Sequence, residues 1–338
     1  MRSGIDILEN DLIEKYPLIL ETLLFDHTTQ QNIFWATDNY SFIGEVYSFY
    51  SQITPELITG DYGSIIMPRV HKDKIVQLSR SKEMAEVFTP SWICNSQNNL
   101  IDNAWFGRRN VFNTEKLSKD GSKYWVTTKN KIVFPNEKTW ENYICDIRLE
   151  IACGEAPYIT SRYDTTTAKY IDVENRIGIL DRKLRIINEN VENPKSWFKA
   201  AKIAYENTYA FEWQGDSLLL AREAMLITFI ENYVLKFGKE PTLKSINDIA
   251  NIISWNVWQM DGLKGVVPNS CKSEITESKD LFGDLKNEEK NCKGCNTNEI
   301  LHHNGLYCHI MDWSRKSRKN GTVGTTKRFV DLLSNKNE

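Results

Sequence analysis

The stretch Leu149–Tyr158, LEIACGEAPY, decides how the rest of this chain is read. It leaves an apolar segment at an acid, Glu150, passes through the small residues Ala152, Cys153, Gly154 and Ala156, and ends at the aromatic Tyr158. A strand that runs into a tight turn, where a ligand comes close to the backbone, needs this kind of sequence. Small side chains leave room there, and glycine tolerates positive φ. An acid at the strand end accepts hydrogen bonds from the amine or hydroxyls of a ligand. A buried strand before an ordinary turn reads the same way, so the stretch gains meaning only from a matching set elsewhere.

Two further segments supply one. Thr208–Phe211 reads as a strand ending in Glu212, followed by an apolar helix over 217–237. An acid so placed accepts both hydroxyls of a ribose, and the neighbouring Trp213 offers a ring for stacking on a base. Residues 252–263 read as a third strand, ending in Asp261 and Gly262, and Asp261 can accept a hydrogen bond from an adenine amino group. Helical patterns at 197–205 and 243–253 separate the three acidic strand ends. The alternation predicts one wall of a nucleoside-binding α/β sheet. Upstream, Phe88-Thr89-Pro90 precedes a helix predicted over 92–100. Proline suits the first turn of that helix, Thr89 is held extended before it, and Phe88 is free to face a ligand. Asp181, after Gly178-Ile179-Leu180, is a reserve candidate for a fourth strand end. The first helix is expected over 12–24, and a hairpin over 123–138.

At 338 residues the chain is long enough for several lobes, and its net charge of −3 does not by itself demand nucleic acid. No secretory leader is visible at its start, and no apolar run is long enough to cross a bilayer. Seven cysteines, an odd number, argue for reduced thiols in an intracellular, cytoplasmic protein rather than a disulfide framework. Three of them crowd the segment CKGCNTNEILHHNGLYCHIMDW. Cys292, Cys295 and Cys308 are expected to ligate a structural zinc, with His303 or Cys271 as the fourth ligand. A basic run follows, Arg315, Lys316, Arg318 and Lys319, then Lys327 and Arg328, suited either to nucleic-acid phosphates or to solvent.

In this order the elements resemble the amino half of the DNA adenine-N6 methyltransferases of the gamma arrangement, the M subunits of restriction–modification systems. Phe88-Thr89-Pro90 is similar to their F-T-P motif. Leu149–Tyr158 is similar to motif I, of the type LEPACGSGxF, with Ala156 where the second glycine stands. Glu212, with Ala221-Arg222 behind it, is similar to motif II, and Asn256–Leu263 to motif III. The resemblance covers roughly 80–265. It implies a Rossmann-like S-adenosylmethionine-dependent methyltransferase half-sheet at 81–268, behind a mixed α+β lobe at 1–80 and ahead of a zinc-knuckle-like segment with a basic tail at 269–338. By the same resemblance Phe88, Thr89, Pro90, Glu150, Cys153, Gly154, Ala156, Glu212, Trp213 and Asp261 would surround S-adenosylmethionine.

The family's catalytic sequence, N-P-P-Y, does not occur, since none of the nine prolines adjoins another. A flipped adenine would find no catalytic pocket in these residues. The expected partner is therefore a second subunit that carries N-P-P-Y and the target-recognition region, completes the sheet beside the motif I strand, and reaches DNA as a complex. Two other readings compete: a non-catalytic regulator or decoy that binds S-adenosylmethionine or restriction subunits, and a zinc-stabilised HNH-type nuclease suggested by His302-His303-Asn304.

Overall fold

The computed structural model describes residues 5–7, 9–83, 89–279, 285–314 and 324–334. The chain is mixed α/β with small sheets. Three short parallel strands, β1 (Arg148–Glu150), β2 (Thr208–Glu212) and β3 (Val257–Gln259), pair in the order β1-β2-β3. Arg148 lies opposite Thr208, and Glu212 opposite Gln259. Four two-stranded antiparallel pairs complete the sheet inventory of the described residues.

All of β2 and β3 is buried, which is why their sequences, TYAFE and VWQ, lack the polar alternation of a half-exposed strand. The free side of β3 is covered. The Gln259 amide brackets the backbone of Phe34, accepting its N–H at 3.1 Å and donating to its carbonyl at 2.8 Å. β1 is different: it has no other strand beside it among the described residues. Ile147, Leu149 and Ile151 along it are 69%, 42% and 68% exposed.

Five longer helices surround the sheet: α1 (Ser91–Phe106), α2 (Ile179–Asn190), α3 (Pro194–Glu206), α4 (Gly215–Phe237) and α5 (Leu243–Asn256). Their ends follow from local chemistry. The Asn193 side chain accepts the N–H groups of Lys195 and Ser196 ahead of α3, with Pro194 in its first turn. Thr242 caps α5 through the Ser245 N–H, and α4 stops at Gly238, whose φ is +66°. Helix α4 is buried continuously from Gly215 to Ile230, as expected of a helix that is apolar nearly all round. One hydrophobic cluster includes residues from Leu12 to Phe329. No helix among the described residues is long and apolar enough to cross a membrane.

Several expectations shift. The opening helix is two short ones, Glu9–Lys15 and Ile19–Leu24, because Pro17 carries no N–H and Leu18 turns left-handed at φ +67°. The hairpin pairs Asn113–Leu117 with Lys123–Thr127, ten residues upstream of the expected pair, around a turn where Gly121 supplies φ +84°. Asp181 is no strand end. It lies in the first turn of α2, where its carboxylate accepts the N–H groups of Gly178 and Ser161 at 3.1 and 2.8 Å. Helix α5 also continues to Asn256, so β3 is shorter than expected and stops two residues before Asp261.

A buried ion cluster ties the N-terminal residues to the start of α4. Asp216 meets Lys72 at 3.0 Å, Arg80 at 2.9 Å and the Tyr40 hydroxyl at 2.7 Å, and all four side chains are almost wholly buried. The two cations hold the Asp216 carboxyl far below the usual carboxylate range despite its burial. Asp216→Ala removes the buried carboxylate shared by Lys72 and Arg80. Unfolding followed by denaturant should show a loss of about 3–5 kcal/mol.

Candidate functional site

A cavity of about 460 Å³ opens at the carboxyl ends of β1 and β2, within the size range of small-ligand sites. LEIACGEAPY forms most of one wall, and its backbone is pinned to β2. The Cys153 N–H bonds to the Phe211 carbonyl at 2.9 Å, and the Gly154 N–H bonds to the Glu212 carboxylate at 2.7 Å. Three residues of the turn, alternating along the chain, take left-handed conformations: Ala152 at φ +48°, Gly154 at +55° and Ala156 at +56°. Ala156 thus keeps the conformation that a second glycine would supply, and its methyl is fully buried. L-residues in this region cost about 1–2 kcal/mol each.

The two strand-end acids are both buried in the wall. Glu150 accepts the N–H groups of Tyr158 and Ile159 at 3.4 and 3.2 Å. Burial pushes its carboxyl up to about 8 against those two bonds, and the nearby Glu212 charge adds to the shift. Glu212 accepts from Gly154 and from the Gln214 N–H at 3.2 Å. Burial outweighs these bonds and raises its pKa as well. Two carboxylates side by side with few donors make a site that favours a positively charged or hydroxyl-rich guest. Cys153 is no nucleophile, because burial pushes its thiol well above the ordinary range.

Of the residues singled out by sequence, Thr89, Glu150, Cys153, Gly154 and Glu212 line this one cavity. Thr89 is held there by the Thr165 hydroxyl, which donates to its carbonyl at 2.8 Å, and the Ser91 N–H bonds to Asp164 at 2.8 Å. Pro90 precedes the first residue of α1, as its fixed φ suits. Phe88 lies outside the described residues. Trp213 and Asp261 do not line the cavity. The Trp213 indole donates to the Ala36 carbonyl at 3.1 Å, so it braces the N-terminal segment. Asp261 is buried in its own turn, accepting the N–H groups of Leu263 and Lys264 at 3.0 and 3.2 Å and pairing with the Lys264 ammonium at 3.3 Å. The wall also contains Arg69, Asn98 and Gln214, which the sequence did not mark. Gln214 lies two residues beyond Glu212, so it alone had a neighbour pointing to it.

A second constellation could hold a metal. Cys271, Cys292, Cys295 and His303 bring one donor atom each within 4.8 Å of one another. The His303 Nδ1 lies 3.6, 3.7 and 3.6 Å from the three sulfurs. A tetrahedral ion about 2.3 Å from sulfur and 2.1 Å from nitrogen sets such atoms about 3.6 Å apart. The Asn304 N–H also points at the Cys292 sulfur, at 3.3 Å. The expected ligand Cys308 is not in this group. Its thiol is buried against the Gln259 carbonyl at 3.3 Å, and Cys271 stands in the fourth place instead. The β-hairpin of Glu274–Lys279 and Leu285–Lys290 rises between Cys271 and Cys292. Of the basic tail, Lys327 and Arg328 are paired with Asp312 and Asp331, while Arg315, Lys316, Arg318 and Lys319 fall outside the described residues.

No family model matches the chain, and neither a curated protein nor a solved structure matches it.

The left-handed alanines give a direct test. Ala152 is exposed, so replacing it by glycine removes the backbone cost without opening a void. Ala152→Gly should raise stability by up to about 1 kcal/mol, read from a denaturant midpoint at unchanged slope. A loss would mean that the turn does not hold that conformation.

Proposed function

We propose that the cavity binds S-adenosylmethionine and that the chain is the cofactor-binding half of a DNA adenine-N6 methyltransferase. The observation that carries this reading is the convergence of Glu150, Gly154 and Glu212 at adjacent parallel strand ends, with Thr89 opposite. In a Rossmann-like half-sheet this is where a nucleoside lies, across the carboxyl ends of the strands. Glu212 then accepts the ribose hydroxyls, and Glu150 faces the cationic end of the methyl donor. Asp261 is left out of the contact set, since its acceptors already serve its own turn.

The base-holding N-P-P-Y loop, which the residues present do not contain, is proposed to come from a second subunit. The open side of β1 supports that assignment. Leu149 on β1 and Ile147 and Ile151 flanking it are aliphatic residues left in water, and an added strand would pair with the free edge of β1 beside the cavity. DNA is then met by the complex. The regulator reading shares the cavity and differs only in never transferring a methyl group. Labelled methyl transfer to DNA in the presence of an N-P-P-Y subunit separates the two. For the nuclease reading, His303 stands in the group that could hold a metal, and His302 pairs with Glu299 at the surface.

Titration calorimetry tests the cofactor. Saturable binding of S-adenosylmethionine is expected, and Glu212→Gln should weaken it at least about tenfold, the scale of a lost charge-assisted hydrogen bond. Unchanged affinity would remove the assignment. Because Glu150 is protonated below about 8 and the ligand needs the carboxylate, affinity should rise between pH 6 and 8 and level off above.

The Cys271, Cys292, Cys295 and His303 set is proposed to hold zinc, since three thiolates and an imidazole suit it and leave no open position for chemistry. Protein purified without chelator should carry about one zinc per chain, by elemental analysis. Cys271→Ser should lower that content and the melting temperature, whereas Cys308→Ser should leave the zinc in place.

A further inference from the structure

The charge of the chain is unevenly spread. Residues 107–138 hold eight lysines and arginines against three acids, a net charge of +5 in a chain of net charge −3, so the remainder carries −8. The hairpin of Asn113–Leu117 and Lys123–Thr127 stands in the middle of this stretch. Lys116, Lys119 and Lys123 lie on its strands and in its turn. Arg108 and Arg109 precede it, Lys129 and Lys131 follow it, and all seven are exposed. Two bonds keep the flanks beside its base: the Thr128 N–H donates to the Phe112 carbonyl at 2.9 Å, and the Arg108 guanidinium to the Val133 carbonyl at 2.8 Å. None of the seven forms an ion pair among the described residues. The acids of the hairpin are engaged by neutral donors instead: Glu115 accepts the Asn99 amide at 2.9 Å, and Asp120 the Ser122 N–H at 3.1 Å.

A ridge of unpaired cations on an otherwise acidic chain is a surface that a polyanion approaches from one side. A five-residue strand is about 17 Å long, and the phosphates of one DNA strand lie about 3.4 Å apart along the axis, so the ridge can follow about five of them. Two details choose the form of nucleic acid. The Lys123 ammonium lies 4.0 Å from the centre of the Trp92 ring, taking up a platform on which an unstacked base would lie. The Asn95 amide beside it donates to Asn113 at 3.0 Å and accepts from Asn113 and Arg182 at 2.7 and 3.0 Å, so it has no fork left to read a base edge. We propose that the hairpin is a docking surface for the backbone of duplex DNA, gripping phosphates without reading sequence. This goes beyond the cofactor reading, in which DNA is met only through the complex. Helix α1 stands between the ridge and the cavity: Trp92 and Asn95 line the groove beside the hairpin, while Gln97, Asn98 and Ile101 line the cavity. A duplex held on the ridge therefore lies one helix away from the cavity.

The test is fluorescence anisotropy of two labelled DNA duplexes of unrelated sequence, titrated with the full chain over a range of salt. Equal affinity for both is expected, with a slope of log affinity against log salt of about −3 to −5. Replacing Lys116, Lys119 and Lys123 together by glutamate should weaken binding at least about tenfold at about 50 mM salt and flatten the slope by about three. The same charge change at Lys195, Lys199 and Lys244, exposed on α3 and α5, should weaken it by less than about threefold, because the contact is local. Lys119→Ala, in the turn, should flatten the slope by about one at an unchanged melting temperature, which reads the contact even if the triple variant does not fold. Unchanged binding in the hairpin variants, equal loss in the two triple variants, or a marked preference between the duplexes would overturn the proposal. So would failure of either duplex to bind, which would leave an acidic protein surface as the occupant. Calorimetry of the hairpin variant with S-adenosylmethionine should match the parent, so loss of the DNA contact and loss of the cofactor reading are separate results.

Discussion

The geometry of the site depends on Glu212. Its carboxylate takes the Gly154 N–H at 2.7 Å, and its backbone carbonyl takes the Met260 N–H at 2.9 Å. One residue therefore joins the turn after β1 to the segment after β3 and sets the relative position of all three strand ends. Together with the Cys153 N–H on the Phe211 carbonyl, it holds the Ala152–Ala156 turn, in which three alternating residues are left-handed. The wider fold serves this point. Helix α4 begins three residues later, and its first turn is fastened to the N-terminal residues by Asp216, Lys72, Arg80 and Tyr40.

Concentrating acids at this place destabilises the empty cavity. Burial raises both Glu150 and Glu212; the Glu212 charge adds to the shift at Glu150, and the Asp216 charge adds to that at Glu212. The backbone N–H groups of Gly154, Gln214, Tyr158 and Ile159 offset part of that cost. A cationic guest offsets more, which is the physical link between the wall's composition and the ligand proposed for it.

Legibility in the sequence followed the range of the interactions. Strand ends and helices were readable because they follow local patterns: the apolar run of β2, the continuous apolar helix after it, and the Pro194 and Pro90 entries. Thr89, Glu150, Gly154 and Glu212 were found because each stands at such a boundary. Asp261 looked equivalent by pattern, yet the two residues separating it from β3 turn its carboxylate onto Leu263 and Lys264. Asn98 and Arg69 carry no such signal, because only tertiary packing makes them wall residues, whereas Gln214 stands two residues beyond Glu212. Spacing favoured Cys308 as a ligand, while the chain path buries it beside Gln259 and brings Cys271 across an intervening hairpin. The Cys292–Cys295 pair, close in sequence, does stand in the group that could hold a metal.

The contrast between the two sides of the sheet follows the same logic. β3 is sealed by Phe34 through Gln259, whereas β1 leaves three aliphatic residues in water next to the cavity mouth. The claim on which the rest turns is that a methyl donor occupies the space between the ends of β1 and β2. Ultraviolet crosslinking with methyl-labelled S-adenosylmethionine, followed by peptide mapping, addresses it directly. The account predicts label on the peptides containing Thr89 or Tyr158, displaced by excess unlabelled compound. Label confined to peptides remote from this cavity, or label that excess compound does not displace, would contradict it.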